Sequence, residues 1–127
     1  MHLLYNFSTF ITSKLILLTT FFSKKMSLFV HGRKIVFDTL KESIHPDDKT
    51  IWFHCASLGE YEQGVPIMEK TKELFPDYKL IVTFFSPSGF EVKKNSTLAN
   101  IILYLPIDTV SNAKKFIELA HPSLAIF

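Results

Sequence analysis

The stretch from Ile51 to Gly64, IWFHCASLGEYEQG, gathers the side chains best suited to chemistry. An apolar run ends at Cys55, small residues follow, and a helical pattern opens at or near Glu60. Ser57-Leu58-Gly59-Glu60 has the S-x-x-E spacing of a capping box. In that motif the serine oxygen accepts from the backbone N–H three residues on, and the glutamate reaches back. The same glutamate would stand at the C-terminal edge of a strand, where open α/β sheets bind ligands. A carboxylate at that edge can act as a general base toward a hydroxyl. Spacing alone favours the cap. Gly59 would let a ligand approach the backbone, and the helix N-terminus would help to hold an anion.

A second small-residue turn, Ser86-Pro87-Ser88-Gly89, follows the next apolar run and would face the same edge. Its plain reading is a turn or helix cap. Its functional reading is a cradle in which hydroxyls and N–H groups meet a phosphate or a sugar. Neither turn carries a nucleotide fingerprint: there is no Walker lysine and no G-x-G-x-x-G. Asp108 or Thr109 is expected to cap the last helix. His54, inside the first strand, reads as a packed, hydrogen-bonded residue. Its neighbour Cys55 points to the opposite face, so the two make a poor catalytic pair. His31, His45 and His121 show no ligand spacing, and the single cysteine excludes an internal disulfide.

Positioning these turns requires strands that alternate with helices. Strands are expected at Ile51–Cys55, Lys79–Phe85, Ile101–Leu105 and Ser123–Phe127. Helices are expected at Glu60–Phe75, stopped by Pro76, then from the Ser86 turn to Lys94, and at Thr109–Ala120. Tyr61, Val65, Met68, Thr71, Leu74 and Phe75 share one helical face, as do Val110, Ala113, Phe116, Ile117 and Ala120. This order implies an α/β fold with a parallel sheet wound by right-handed crossovers. Residues 50–127 form that domain, with the SIHPDDK turn at Ser43–Lys49 as its boundary.

Residues 1–49 differ in character. Leu3–Phe22 is apolar over about the length of a membrane span. On a helical wheel, though, Asn6, Ser8, Thr9, Thr12, Ser13, Thr19, Thr20 and Ser23 gather opposite most of the apolar residues. Lys14, Lys24, Lys25, Arg33 and Lys34 all precede the first acidic residue, Asp38. This pattern favours a membrane-associated amphipathic helix, lying in the interface or steeply tilted, over a simple spanning one. A short helical link broken at Gly32 follows. The net charge of +2 is too small to argue for nucleic acid, and 47% hydrophobic residues can build a core.

Three runs in order, IWFHCASLGEYEQG, LIVTFFSPSGFEVKK and YLPIDTVSNAKKFIELAHPSLAIF, resemble the N-terminal domain of 3-deoxy-D-manno-octulosonic acid (Kdo) transferases. The resemblance implies the Rossmann-like N-terminal half of a B-type glycosyltransferase fold. It implies transfer of Kdo from CMP-Kdo, the donor substrate, to the lipid A precursor (lipid IVA) at the cytoplasmic face of the inner membrane, with no cofactor or metal. It gives Glu60 the role of general base, and it places Ser57, Gly59, Ser86, Ser88 and Gly89 on the acceptor side of the cleft. The match covers less than half of such an enzyme. The domain that binds CMP-Kdo is not among these residues, so the chain is expected to be an incomplete portion, inactive alone and poorly soluble without detergent. The alternative is a non-catalytic module of the same descent that docks on membranes or a partner.

Overall fold

Consecutive branched and aromatic residues build the central strands, which are buried on both faces, and the two faces meet different helices. The computed structural model describes residues 2–19 and 24–127. Its elements are α1 (His2–Thr19), α2 (Lys24–Lys34), α3 (Val36–Ser43), β1 (Lys49–Cys55), α4 (Leu58–Leu74), β2 (Tyr78–Phe84), α5 (Pro87–Lys93), β3 (Ile101–Tyr104), α6 (Val110–Ala120) and β4 (Pro122–Ile126). The strands are all parallel, in the order β3-β2-β1-β4. The α/β class and the parallel sheet expected from the sequence are therefore present, and each element lies within a few residues of its expected place.

Side chains two apart on a strand share a face. Ile51, Phe53 and Cys55 of β1 join Leu80, Val82 and Phe84 of β2 in packing with Tyr61 and Met68 of α4. On the opposite side, Trp52 and Ile81 pack with Val36 and Leu40 of α3 and Phe116 and Ala120 of α6. Tyr61, Met68 and Thr71 are buried as the helical spacing predicts, whereas Leu74 and Phe75 at the end of that face are exposed. Phe75 instead sets its ring against Tyr78, with centroids 5.5 Å apart. Val110 and Ile117 of α6 are likewise exposed.

β1 starts at Lys49, and the core reaches back before it. Val36 and Leu40 are fully buried, and Ile44 joins them. At eight residues, α3 is too short to be stable alone. Each buried aliphatic side chain contributes roughly 1.5–3 kcal/mol, so packing on the sheet holds α3 in place.

The expected break at Gly32 is displaced: α2 runs on to Lys34, and the bend falls at Ile35. Gly32 has another purpose, because a Cβ there would sit 2.2 Å from the Tyr104 ring. Arg33, expected to serve a membrane surface with the other basic residues, is instead buried. Its guanidinium donates to the Phe29 carbonyl at 2.8 Å and the Phe85 carbonyl at 2.9 Å, and it lies 3.5 Å from the centre of the Phe29 ring. Burial lowers its pKa to about 10, which leaves it cationic at neutral pH.

In α1, Phe7, Phe10, Ile11 and Leu15 are exposed. The hydroxyls of Ser8, Thr9, Thr12 and Ser13 donate to carbonyls of the preceding turn. Tyr5 donates to the Asp108 carboxylate at 2.5 Å and so ties α1 to the loop before α6. Among the described residues, no helix is long and apolar enough to cross a membrane. Thr20, Phe21, Phe22 and Ser23, part of the expected amphipathic pattern, lie outside the described residues.

Candidate active site at the β1–β4 switch point

From β1 the chain crosses to β2 on one side, and it later returns through α6 to β4 on the other. The C-terminal ends of β1 and β4 therefore flank a topological switch point, where α/β sheets leave a crevice for ligands. A cavity of about 230 Å³ opens there, lined by His54, Cys55, Glu60, Gln63, Gly64 and Phe127 among others.

Ser57 is the N-cap of α4 and accepts from the Glu60 backbone N–H at 3.4 Å. The Glu60 carboxylate reaches back to the Ala56 N–H at 2.5 Å, one residue before the cap. The capping box expected from the spacing is thus present, shifted by one residue on its return arm. The cap does not consume the carboxylate. A carboxylate has about four lone-pair sites, and Glu60 remains exposed on the cavity wall. Cap and base are compatible roles for this residue.

Ser86 starts α5 without a side-chain cap, and its Oγ lies 2.7 Å from Ser88 Oγ. The Ser86 N–H donates to the Ala56 carbonyl at 2.9 Å, which joins the two turns. The structure brings Ser57, Gly59 and Glu60 together at the start of α4 and sets the Ser86–Gly89 turn beside them on the β2 side. Of these candidates, Glu60 alone lines the β1–β4 cavity. Thr109 caps α6, accepting from Asn112 N–H at 3.1 Å.

The two glycines differ. Gly59 is exposed, and a Cβ there would meet only Ser57 Oγ at 3.9 Å. Gly89 is buried, and a Cβ there would meet the Phe84 ring at 2.6 Å and the Leu58 nitrogen at 3.1 Å. Packing alone accounts for Gly89. Gly89→Ala is expected to cost about 1–3 kcal/mol through overpacking, while Gly59→Ala should leave stability unchanged or slightly raised. Urea unfolding of the two variants checks this, and equal midpoints would contradict the packing assignment.

His54 was legible as a packed strand histidine, but its place on the cavity wall was not. Its Nδ1 lies 3.0 Å from Thr83 Oγ1, and that oxygen accepts from Trp52 Nε1–H at 2.8 Å. Burial pushes the imidazole below its ordinary value of 6.5, opposed by the Glu60 carboxylate and by the Thr83 main chain. A base with a depressed folded value leaves the unfolded chain to take up the proton first as pH falls. Its stabilising contribution is complete above the unfolded value and is lost as pH drops toward the folded one. Stability is therefore expected to fall more steeply in the native chain than in His54→Gln as pH drops below the ordinary imidazole value of 6.5. Unfolding curves across that range test it, and parallel pH profiles would contradict it. Cys55, buried beside it, has its thiol pushed up to about 11 by burial and then by Glu60, which leaves it a poor nucleophile. Among the described residues, no group of three His, Cys, Asp or Glu side chains could hold a metal ion.

The chain is similar in sequence to several known proteins. The chain is 28% identical over 107 residues to the 3-deoxy-D-manno-octulosonic acid transferase of Chlamydia trachomatis serovar D, covering 79% of this chain and 25% of that protein. It is 34% identical over 87 residues to the enzyme of the same name from Aquifex aeolicus, covering 68% and 24%. It is 30% identical over 83 residues to that of Haemophilus influenzae, covering 64% and 19%. The chain thus spans about a quarter or less of the length of these curated relatives. No solved structure matches it at a significant level. The family described as 3-deoxy-D-manno-octulosonic-acid transferase (kdotransferase) matches residues 30–127, which takes in α3, the whole sheet and the Glu60 cavity, and the chain belongs to that family.

Proposed function

We propose that this chain forms the acceptor side of a glycosyltransferase of lipopolysaccharide biosynthesis, which moves Kdo from CMP-Kdo to a lipid A precursor. The observation that carries the proposal is the Glu60 carboxylate on the cavity wall at the switch point. There it takes the proton from an acceptor hydroxyl while that oxygen bonds to the anomeric carbon of Kdo. The bond from that carbon to the CMP phosphate breaks, and CMP leaves. General-base assistance of this kind is worth typically about 10²–10⁴-fold. In this reading the exposed Gly59 and the Ser57, Ser86 and Ser88 hydroxyls would meet the acceptor sugar beside Glu60. No cofactor or metal is assigned to the reaction.

The work is proposed to take place at the cytoplasmic face of the inner membrane. The exposed Phe7, Phe10, Ile11 and Leu15 would enter the headgroup region, and Lys14 would snorkel to it. The Ser8, Thr9, Thr12 and Ser13 hydroxyls, already bonded within the helix, add no unsatisfied donors there.

CMP-Kdo binding is assigned to the portion of the relatives beyond the matched quarter. The test is a Kdo-transfer assay on membranes with CMP-Kdo and a lipid A precursor, run on this chain alone and on this chain with the donor domain of a relative. Transfer only in the paired sample is the expected result. Absence of transfer in both would leave the non-catalytic docking module as the better account.

A further inference from the structure

The Trp52–Thr83–His54 hydrogen-bond chain ends on the wall of the cavity that holds Glu60. Trp52 can only donate through its indole N–H. Thr83 Oγ1 receives that donation at 2.8 Å. Thr83 is fully buried and sits directly opposite His54 in the β1–β2 register. Its hydroxyl carries one proton, and a buried hydroxyl needs an acceptor for it. His54 Nδ1, 3.0 Å away, is the side-chain acceptor in reach. If Nδ1 carried the proton instead, Thr83 would receive two donations and its own proton would be left without a partner. A neutral imidazole has one donor and one acceptor nitrogen, and the bond made by one sets the other. With Nδ1 accepting, Nε2 bears the hydrogen.

We propose that His54, held as the Nε2–H tautomer by Trp52 and Thr83, is the hydrogen-bond donor that orients the acceptor sugar beside Glu60. The inference rests on the reading of Glu60 as the base. A carboxylate and a neutral N–H donor on one cavity wall complement a sugar: the carboxylate takes the reacting hydroxyl, and the N–H holds a neighbouring oxygen. His54 is half-buried, and its ring lies 5.9 Å from that of Phe127, which limits its freedom to turn. Its depressed basicity keeps the ring neutral at pH 7, so it binds without adding charge.

The first test needs no transferase activity. Long-range ¹⁵N–¹H correlation spectra of this chain in detergent micelles distinguish the two tautomers of His54. The Nε2–H pattern is expected in the native chain, with mixed tautomers in Thr83→Val, where the hydroxyl is replaced at nearly constant shape. A native Nδ1–H pattern would overturn the proposal. The second test is the paired-sample transfer assay with His54→Asn and His54→Gln. Asparagine keeps a partner for Thr83 but loses the donor at the Nε2 position; glutamine keeps a donor near it. His54→Asn should raise the KM for the lipid A precursor by about tenfold, the scale of one lost hydrogen bond, with the larger part of kcat retained. His54→Gln should recover part of that loss. Equal, small effects of both variants would overturn the ligand role even if the tautomer is as expected. Full activity of Glu60→Gln would sink the base assignment instead, while the tautomer and the His54→Asn effect on KM would still be read independently.

Discussion

Glu60→Gln is expected to lower Kdo transfer by about 10²–10⁴-fold while leaving the fold in place. Glutamine keeps an oxygen that can accept from the Ala56 N–H, the bond the carboxylate makes at 2.5 Å. Ser57 still accepts from the backbone N–H of residue 60. The cap therefore survives in a neutral form, and the expected loss of stability is at most about 1 kcal/mol. What disappears is the ability to take a proton. The pairing of a large kinetic effect with a small structural one separates base from cap. Activity in the paired sample and urea unfolding of the isolated chain measure the two halves. If transfer falls only in proportion to stability, Glu60 is a cap and the base lies elsewhere. Glu60→Ala cannot make this distinction, because it removes both functions at once.

Arg33→Ala should cost about 3 kcal/mol of stability, the scale of two lost charge-assisted hydrogen bonds and a desolvated cation–π contact. The guanidinium links α2 to the loop after β2 through the Phe29 and Phe85 carbonyls. It lies against Phe29 and within 5.3 Å of the Phe85 ring centre. Among the described residues it has no carboxylate partner in an ion pair, so carbonyls and rings offset its desolvation. Arg33→Lys should recover less than half, because an ammonium cannot reproduce the planar fork that reaches two carbonyls. Unfolding midpoints in one detergent compare the three chains. A loss below about 0.5 kcal/mol would mean that the desolvation cost of the guanidinium cancels its contacts. The result also bears on membrane association. If Arg33 is structural, its replacement should destabilise the fold in detergent and in vesicles alike, whereas a headgroup contact would show only where anionic lipid is present.

Much of the fold could be read along the chain because its signals are local. Ser57 and Glu60 are three apart, so the cap of α4 is visible in the sequence. Thr109 and the face of Phe116 and Ala120 mark α6 in the same way. Short runs rich in strand-favouring residues, such as KLIVTFF, declare strands, and their alternation with helical faces leaves a parallel sheet as the simplest arrangement. The failures are equally informative. Leu74 shares the spacing of Tyr61 and Met68 yet is exposed as the last residue of α4. Gly32 reads as a helix breaker, but the Tyr104 ring explains it. Arg33 reads as one more surface cation, but Phe85, 52 residues away, takes it into the interior.

The candidate site divides along the same line. The sequence by itself determined that Glu60 follows a strand and opens a helix, that Ser86–Gly89 forms a matching turn, and that both lie at one edge. Each of those statements depends on residues within one turn of each other. Tertiary structure alone decided that β4 lies beside β1, that Glu60 faces the resulting crevice while the Ser86 turn stands on the other side, and that His54 shares the crevice wall. Those facts depend on strand order and on contacts such as His54 with Thr83, 29 residues apart. Side-chain spacing records which face a residue takes; only the packed sheet decides which neighbours that face will meet.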